Sequence, residues 1–268
     1  MPKIQVRDIQ MYYEEKGEGP VLVMIMGLGA NLDWWGDDFR NDLSREFRTI
    51  AFDNRGSGRT DRPTTGYTIA NFARDTIELM NKLDIKKAHI MGFSMGGMVA
   101  QEIALHYPER VDKLVLGCTN CGGDQQVPAD EDVRAWLQKE NSGTQGKVKD
   151  HLVHILFPHK FASTHKEFIK EVLKWAGKAP IDAMSFQRQL RMIFQWDGNY
   201  DRLTGLTVPV LVMHGQEDAI IPAENANILN KMIPESELRL FEGGGHGFNT
   251  QFPHKVSTEV LSFLNHNH

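Results

Sequence analysis

The sequence predicts an α/β protein built on a mostly parallel, doubly wound β-sheet of about eight strands with an inserted helical segment. Two patterns carry this prediction. Short apolar runs of strand type alternate with segments whose apolar residues recur at helical spacing, which is typical of a parallel sheet covered by helices. Between residues 122 and 202 the helical patterns continue without a good strand pattern, which indicates an insertion between two strands.

Eight short runs have the length and the apolar or β-branched character of strands. The first two, residues 3–6 and 11–14, lie close together, so we expect them to form a hairpin. The other six are predicted to be residues 21–26, 49–53, 88–91, 111–117, 210–214 and 238–241.

Helical patterns separate the later strands. Residues 71–83, 223–232 and 253–264 each place apolar residues three and four positions apart, as expected for helices that bury one face. A further apolar stretch, residues 98–107, follows the fifth strand and is stopped by Pro108.

The insertion is predicted to be a helical lid. Its expected helices are residues 133–140, 147–157, 163–175 and 182–196. The predicted organisation is therefore a core domain of residues 1–121 and 203–268 with a lid of residues 122–202. We expect most apolar side chains of the lid to pack on one another and on the core, and a few to line a ligand pocket.

Composition restricts the partners that the chain can have. It has 268 residues, 41% of them hydrophobic, and a formal net charge of -5. This balance, without runs of like charge, argues against a nucleic-acid surface. The longest apolar run, residues 21–28, is too short to cross a bilayer. The first residues lack an apolar leader, so we expect a cytoplasmic protein that acts on small molecules, with a homo-oligomer left open.

The two cysteines, Cys118 and Cys121, form a Cys-x-x-Cys pattern that also occurs in redox and zinc sites. A tetrahedral zinc site needs about four ligands, and the chain has no second cysteine pair. A redox motif opens a helix, whereas Gly122 and Gly123 indicate a loop. Both are interpreted as ordinary thiols, and neither a metal nor an organic cofactor is expected.

The fifth strand leads into the pentapeptide Gly92-Phe93-Ser94-Met95-Gly96. With a strand before it and a helix after it, Gly-x-Ser-x-Gly forms a sharp turn that exposes the serine hydroxyl at the end of the sheet. The hydroxyl then lies at the helix N-terminus, where backbone N–H groups favour a developing negative charge. Ser94 is therefore the candidate nucleophile.

A serine nucleophile needs a base oriented by an acid, and both are expected at other strand ends. The loop after the seventh strand offers Asp218 as the acid, with Glu217 as the alternative. The glycine-rich loop after the last strand offers His246, one of 11 histidines. His246 is preferred because the chain order Ser94, Asp218, His246 fits this kind of sheet and turn.

The same chemistry needs hydrogen-bond donors for an oxyanion. One candidate is the backbone N–H of Met95, directly after the serine. The other is the N–H of Leu28 in the loop 26–30 after the third strand, which reads Met-Gly-Leu-Gly-Ala. Each such donor is worth on the order of 10²–10³ in rate.

Together these segments resemble the α/β-hydrolase fold superfamily over most of the chain outside the lid. Residues 52–61 are similar to the family's Asp-x-Arg-Gly-x-Gly-x-Ser turn, and residues 107–111 to its usual exit from the helix after the serine. The subgroup most resembled contains small bacterial-type serine carboxylesterases and 3-oxoadipate enol-lactonase-like proteins. The resemblance implies that Asp53 and Arg55 form a structural pair in the turn. Met26 departs from the pattern, since many members have histidine before the oxyanion-loop glycine.

The resemblance implies a serine hydrolase that cleaves a carboxylic ester or lactone through an acyl-enzyme, without a cofactor. Enol-lactonases and carbon–carbon bond hydrolases usually add a cation for a substrate carboxylate, for which Arg134, Arg188 and Arg191 are candidates. A cofactor-free haloperoxidase or perhydrolase and a non-catalytic ligand-binding protein share the fold and stay open. A dehalogenase needs a carboxylate in place of Ser94, which argues against that class.

Overall fold

The computed structural model describes residues 3–139 and 155–266, and it has the α/β architecture that the sequence predicts. Each of the eight predicted strands is present, and all eight belong to one sheet. The strands are β1 Lys3–Val6, β2 Ile9–Lys16, β3 Val21–Ile25, β4 Arg48–Phe52, β5 Ala88–Phe93, β6 Val111–Gly117, β7 Val210–Gly215 and β8 Glu237–Phe241.

The strand order is β1-β2-β4-β3-β5-β6-β7-β8. The hairpin strands β1 and β2 pair antiparallel, as β2 does with β4, and every pair from β4 to β8 is parallel. From β3 the chain goes first to β4 on one side and then to β5 on the other. Ligands of such sheets bind at the carboxyl ends of the strands at this switch point. Because Ile25 pairs with Gly92, the loops after β3 and β5 leave the sheet side by side.

Helices cover the sheet, and none of them in the described ranges is both long and apolar enough to span a bilayer. The four core helices expected from the sequence are present. A further short helix of seven residues, DDFRNDL, was not predicted because it is too short to show a helical period. The helices are α1 Asp37–Leu43, α2 Ile69–Lys82, α3 Met95–His106, α4 Glu131–Lys139, α5 His159–Thr164, α6 Lys166–Lys178, α7 Ala183–Phe194, α8 Glu224–Met232, α9 Phe248–Gln251 and α10 Pro253–Asn265.

Both faces of the sheet are buried, and successive strand residues supply the two layers. Val23 of β3 packs in the layer that contains Phe72 of α2, whereas its neighbour Met24 packs in the layer that contains Phe39 of α1. This burial on two sides explains why the central strands are continuous apolar runs in the sequence.

The predicted lid contains α4 to α7 among its described residues. α4 begins two residues before the prediction, and α7 lies within the predicted 182–196. The predicted helix 147–157 lies largely outside the described residues. An apolar cluster around Phe157 and Val172 packs α5 and α6 on one another, and Trp34 of the core packs against it. The division of the chain at residues 122 and 202 stays a prediction.

The prediction of a single helix over residues 163–175 is wrong. α5 ends at Thr164 and α6 begins at Lys166, with His165 between them at φ -115° and ψ 49°. The Thr164 hydroxyl donates to the carbonyl of Lys160 at 2.9 Å. Side-chain bonds of this local kind compete with the backbone ladder that would continue a helix.

Asp53 and Arg55 are structural residues of the turn, as expected, but they do not pair with each other, because each has its own partners. The Asp53 carboxylate accepts hydrogen bonds from the backbone N–H groups of Leu32 and Arg59, each at 2.7 Å. Arg55 binds the carboxylate of Asp75 in α2 at 2.8 and 3.0 Å. Asp53 therefore fixes the segment after β3, and Arg55 fixes α2.

Candidate active site

Ser94 connects β5 to α3 in a backbone conformation that is costly for a residue with a side chain. Its φ is 56° and its ψ is -124°. Such a conformation costs about 1–3 kcal/mol and persists only where the surroundings hold it, commonly at functional sites. The Ser94 N–H donates to Gly117 O at 2.9 Å, and the Thr119 hydroxyl donates to the Ser94 carbonyl at 2.8 Å. These bonds hold the turn against the end of β6.

The glycines on both sides of Ser94 are required by close backbone contacts. A Cβ on Gly92 would lie 2.1 Å from the carbonyl oxygen of Gly96, and a Cβ on Gly96 would lie 2.0 Å from that of Ile25. Neither position has room for a side chain. The Gly-x-Ser-x-Gly pattern is thus a steric requirement of this strand–turn–helix.

Asp218 follows β7, and both of its carboxylate oxygens are hydrogen-bonded. Oδ1 accepts from the N–H groups of Ile220 and Ile221, each at 2.9 Å. Oδ2 lies 2.8 Å from Nδ1 of His246. The alternative acid, Glu217, is exposed to solvent, whereas Asp218 is buried. The structure therefore brings together Asp218 and His246, two of the residues that the sequence nominates.

The contact between Asp218 and His246 depends on the close approach of the loops after β7 and β8. A Cβ on Gly215, at the end of β7, would lie 2.3 Å from Gly245 O and 2.4 Å from Gly244 O. Because Gly215 has no side chain, the glycine-rich loop after β8 passes directly over it. His246 can then reach Asp218.

Asp218 is the charged member of the pair. Burial raises the pKa of its carboxyl group, but electrostatic attraction between the carboxylate and the His246 ring and hydrogen bonds from His214 and His246 outweigh burial and hold that pKa well below its usual range. An ionised carboxylate accepts hydrogen bonds and cannot donate them. Nδ1 of His246 therefore carries a proton, which leaves Nε2 of the neutral ring as a base.

His214 is a second histidine at Asp218, and it was not singled out from the sequence. It is completely buried in β7, and its Nε2 lies 2.8 Å from the carbonyl oxygen of Ile221 and 3.1 Å from Oδ2 of Asp218. Because a carbonyl only accepts, Nε2 carries the proton and helps to hold the Asp218 loop. The available signal in the sequence was its position: His214 lies near the end of β7, four residues before the candidate acid.

The buried Cys118 directly follows β6, near Ser94 and Asp218. Burial raises the pKa of the Cys118 thiol, the Asp218 carboxylate raises it further, and a hydrogen bond with the Ser94 backbone lowers it. Cys118 is thus close to both halves of the site. The described residues contain no hydrogen bond between the Ser94 hydroxyl and His246. Catalytic hydrogen bonds of this kind commonly tighten only when substrate binds.

The two cysteines are buried and unlinked. Burial raises the pKa of the Cys121 thiol as well, so both thiols are neutral near pH 7. Within residues 3–139 and 155–266, no group of three or more His, Cys, Asp or Glu side chains is arranged to hold a metal ion.

The loop after β3 lies against the serine. A Cβ on Gly27 would be 2.9 Å from Cβ of Ser94 and 3.2 Å from its Oγ. The N–H groups of Leu28 and Met95 donate no hydrogen bond among the turn, loop and cap hydrogen bonds of the described residues. They stay the candidate donors to a negatively charged oxygen. Met26 is buried in the core.

The lid arginines considered for a substrate carboxylate do not contact these residues. The Arg188 guanidinium lies 5.9 Å from the centre of the Tyr67 ring. Arg134 and Arg191 are exposed on their helices. A cavity of about 210 Å³ beside Tyr67 has walls that include Glu102, but none of the predicted site residues.

Comparison with known proteins identifies one matching family and three similar proteins. A model of the alpha/beta hydrolase fold family matches residues 20–253. A Synechocystis sp. protein provisionally named non-heme chloroperoxidase is 31% identical over 275 residues, covering 96% of this chain and 95% of the relative. An Agrobacterium fabrum protein provisionally named carbamate hydrolase is 31% identical over 265 residues, covering 95% and 98%. A thermophilic esterase from Thermogutta terrifontis has a similar structure, with a TM-score of 0.83 and 27% identity over 96% of this chain and 93% of that chain.

Proposed function

Because the chain belongs to the α/β-hydrolase fold family, we propose that it is a serine hydrolase that cleaves carboxylic esters through an acyl-enzyme. The hydrogen bond of 2.8 Å between Asp218 and His246 carries this proposal. This hydrogen bond lies at the carboxyl ends of the parallel strands, as does the strained turn of Ser94. A strained turn at this position is explained if the serine hydroxyl is the reacting group, because the turn exposes that hydroxyl.

In the proposed mechanism, Oγ of Ser94 attacks the ester carbonyl while Nε2 of His246 takes the hydroxyl proton. Asp218 keeps His246 in the required tautomer and stabilises the imidazolium that forms. The N–H groups of Leu28 and Met95 bind the negative oxygen of the tetrahedral intermediate. The imidazolium then protonates the leaving alcohol, and the acyl group stays on Ser94.

Deacylation repeats these steps with water. His246 takes a proton from water, the resulting hydroxide attacks the acyl carbon, and His246 returns the proton to Oγ of Ser94. The carboxylic acid product leaves. Every step uses groups of the chain and water, so the proposal needs neither a metal nor an organic cofactor.

The residues of the site also bear on the other reactions that proteins of this fold catalyse. Enol-lactonases and carbon–carbon bond hydrolases usually add a cation for the substrate carboxylate, and the candidate Arg188 lies over the ring of Tyr67. The Synechocystis relative named a chloroperoxidase favours perhydrolysis as the second candidate. In that reaction peroxide replaces water on the acyl-enzyme. A non-catalytic ligand-binding role is the candidate of a different class.

The proposed partner is a small-molecule ester or lactone. The net charge of -5 gives no support to a nucleic-acid partner. The cytoplasmic location and the homo-oligomer left open by the sequence stay predictions.

Hydrolysis of p-nitrophenyl esters from acetate to decanoate, beside an enol-lactone, tests the proposal. Ser94→Ala is the control, and we expect it to lower kcat by about 10⁶-fold with the fold intact. Turnover that depends on Ser94 and peaks at one acyl length would support the esterase. Near-normal turnover by Ser94→Ala would contradict the mechanism.

The lactone assay and two further assays, halide oxidation and fluorophosphonate labelling, separate the alternatives. Opening of the lactone without ester turnover would indicate a lactonase. Halide oxidation that requires peroxide and a carboxylic acid would indicate a perhydrolase. Inactivity on all substrates, together with no reaction with a fluorophosphonate, would favour the ligand-binding role.

A further inference from the structure

A buried side chain of the predicted lid is bonded to the loop that carries Leu28. Gln189 of α7 is completely buried, and its Oε1 accepts a hydrogen bond from the N–H of Gly29 at 2.9 Å. Its Nε2 donates to the carbonyl of Arg55 at 2.8 Å and to the hydroxyl of Ser57 at 3.0 Å. One amide therefore joins the loop after β3 to the turn after β4.

α7 also packs on this loop through an aromatic ring. Gly29 has φ 69°, and a Cβ there would lie 2.9 Å from the ring of Phe186. Phe186 and Gln189 are three positions apart, so they lie on one face of the helix. That face supplies an apolar contact and a hydrogen bond to the same residue of the loop.

Other side chains hold the two ends of the loop. Nδ2 of Asn54 donates to the carbonyl of Met26 at 2.8 Å, and Asp53 accepts from the N–H of Leu32 at 2.7 Å. Gln189 holds the middle of the loop at the residue next to Leu28. The Met26 side chain has no N–H or O–H group that could supply this restraint from within the loop.

We infer that Gln189 is a positioning residue that keeps the Leu28 N–H directed at the oxyanion, so that the site is complete only when α7 is docked on the core. The inference rests on the proposed function. Removing the amide leaves the part-buried N–H of Gly29 and the buried carbonyl of Arg55 without this partner, and such groups regain hydrogen bonds by moving. A shift of the loop would displace the Leu28 donor by a fraction of an ångström.

The test replaces Gln189 by methionine, which has a similar length and no amide. Because a displaced donor keeps part of its effect, we expect kcat for the preferred ester to fall by about 10–100-fold, with KM within about threefold. The Ki of a trifluoromethyl ketone, whose adduct with Ser94 carries an oxyanion, should rise by the same factor. Gln187→Met, on the same helix and half-buried, is the matched control and should keep wild-type values.

A second variant distinguishes positioning from general damage to the fold. Gln189→Glu keeps an acceptor for the Gly29 N–H and loses donors, so its fall in kcat and rise in Ki should be parallel and smaller than for Gln189→Met. Rates are given per serine titrated with a fluorophosphonate, so that partial unfolding does not imitate the effect. If Gln189→Met does not fold, the parallel change in Gln189→Glu carries the test.

Two results would overturn the inference. One is wild-type kcat and Ki in the folded Gln189 variants, and the other is a rise in KM alone, which would assign Gln189 to substrate binding. In both cases Ser94-dependent turnover by the wild type would leave the proposed function standing. Absence of Ser94-dependent turnover in the wild type would overturn the proposed function and the inference together.

Discussion

The packing of Gly27 on Ser94 predicts the effect of a single added methyl group. In Gly27→Ala the new Cβ would lie 2.9 Å from Cβ of Ser94 and 3.2 Å from its Oγ. Carbon atoms in good contact are about 3.5–4.0 Å apart, so the loop or the serine must move by about 0.5–1 Å. Gly27 is not among the residues with positive φ. The substitution therefore adds a steric contact and no backbone strain.

The size of this shift sets the expected loss of activity. A misplacement of about 1 Å in a catalytic site costs about 10²-fold, so we expect kcat/KM for the preferred p-nitrophenyl ester to fall by about 10–100-fold. Overpacking of a core costs about 1–3 kcal/mol, and a urea titration will report that part separately. Gly205→Ala is the matched control, because a Cβ on Gly205 would have no atom within 4 Å.

One result would refute the reasoning. If folded Gly27→Ala had the same kcat/KM as Gly205→Ala, the loop after β3 would not lie against the reacting hydroxyl. The role proposed for Leu28 as an oxyanion donor would then lose its structural basis.

Three further changes test other parts of the site and the fold. Asp218→Asn should lower kcat by about 10⁴-fold at neutral pH, because His246 would lose the acceptor that fixes its tautomer; a loss below tenfold would argue against this role. Leu28→Pro removes an N–H and should lower kcat by about 10²–10³-fold, whereas Leu28→Ala keeps the N–H and should stay near wild type. For stability, the hydrogen bond to Arg55 lowers the pKa of Asp8 to about 2, so the stabilisation is complete above about pH 4 and is lost as the pH falls towards 2. Since the Asp8 side chain is 58% exposed, Asp8→Asn should cost at most about 1 kcal/mol at pH 7. Its urea midpoint should converge with that of the wild type in acid, and a constant difference would contradict the assignment.

The strands and the candidate Ser94, Asp218 and His246 could be predicted because each depends on local sequence. Strands buried on both faces leave continuous apolar runs, and their ends are marked by polar or glycine-rich loops. Ser94 lies between two glycines that the turn requires on steric grounds. Asp218 and His246 follow the last two strands, so their order along the chain is enough to predict them as candidates without knowledge of their contact.

What could not be predicted depends on contacts between distant segments. Gln189 and Gly29 are 160 residues apart, and helical spacing gives no sign that a glutamine of the lid is bonded to the loop after β3. Arg55 binds Asp75 instead of Asp53, since the turn directs it to α2. The break at His165 depends on hydrogen bonds of neighbouring side chains, which an apolar period does not report.

Labelling with a fluorophosphonate, followed by intact mass measurement and peptide mapping, tests the central claim most directly. We predict one adduct per chain, located on Ser94, absent from Ser94→Ala and formed much more slowly in His246→Ala. An adduct at another residue of the folded protein, or none at all, would contradict the assignment of Ser94 as an activated nucleophile.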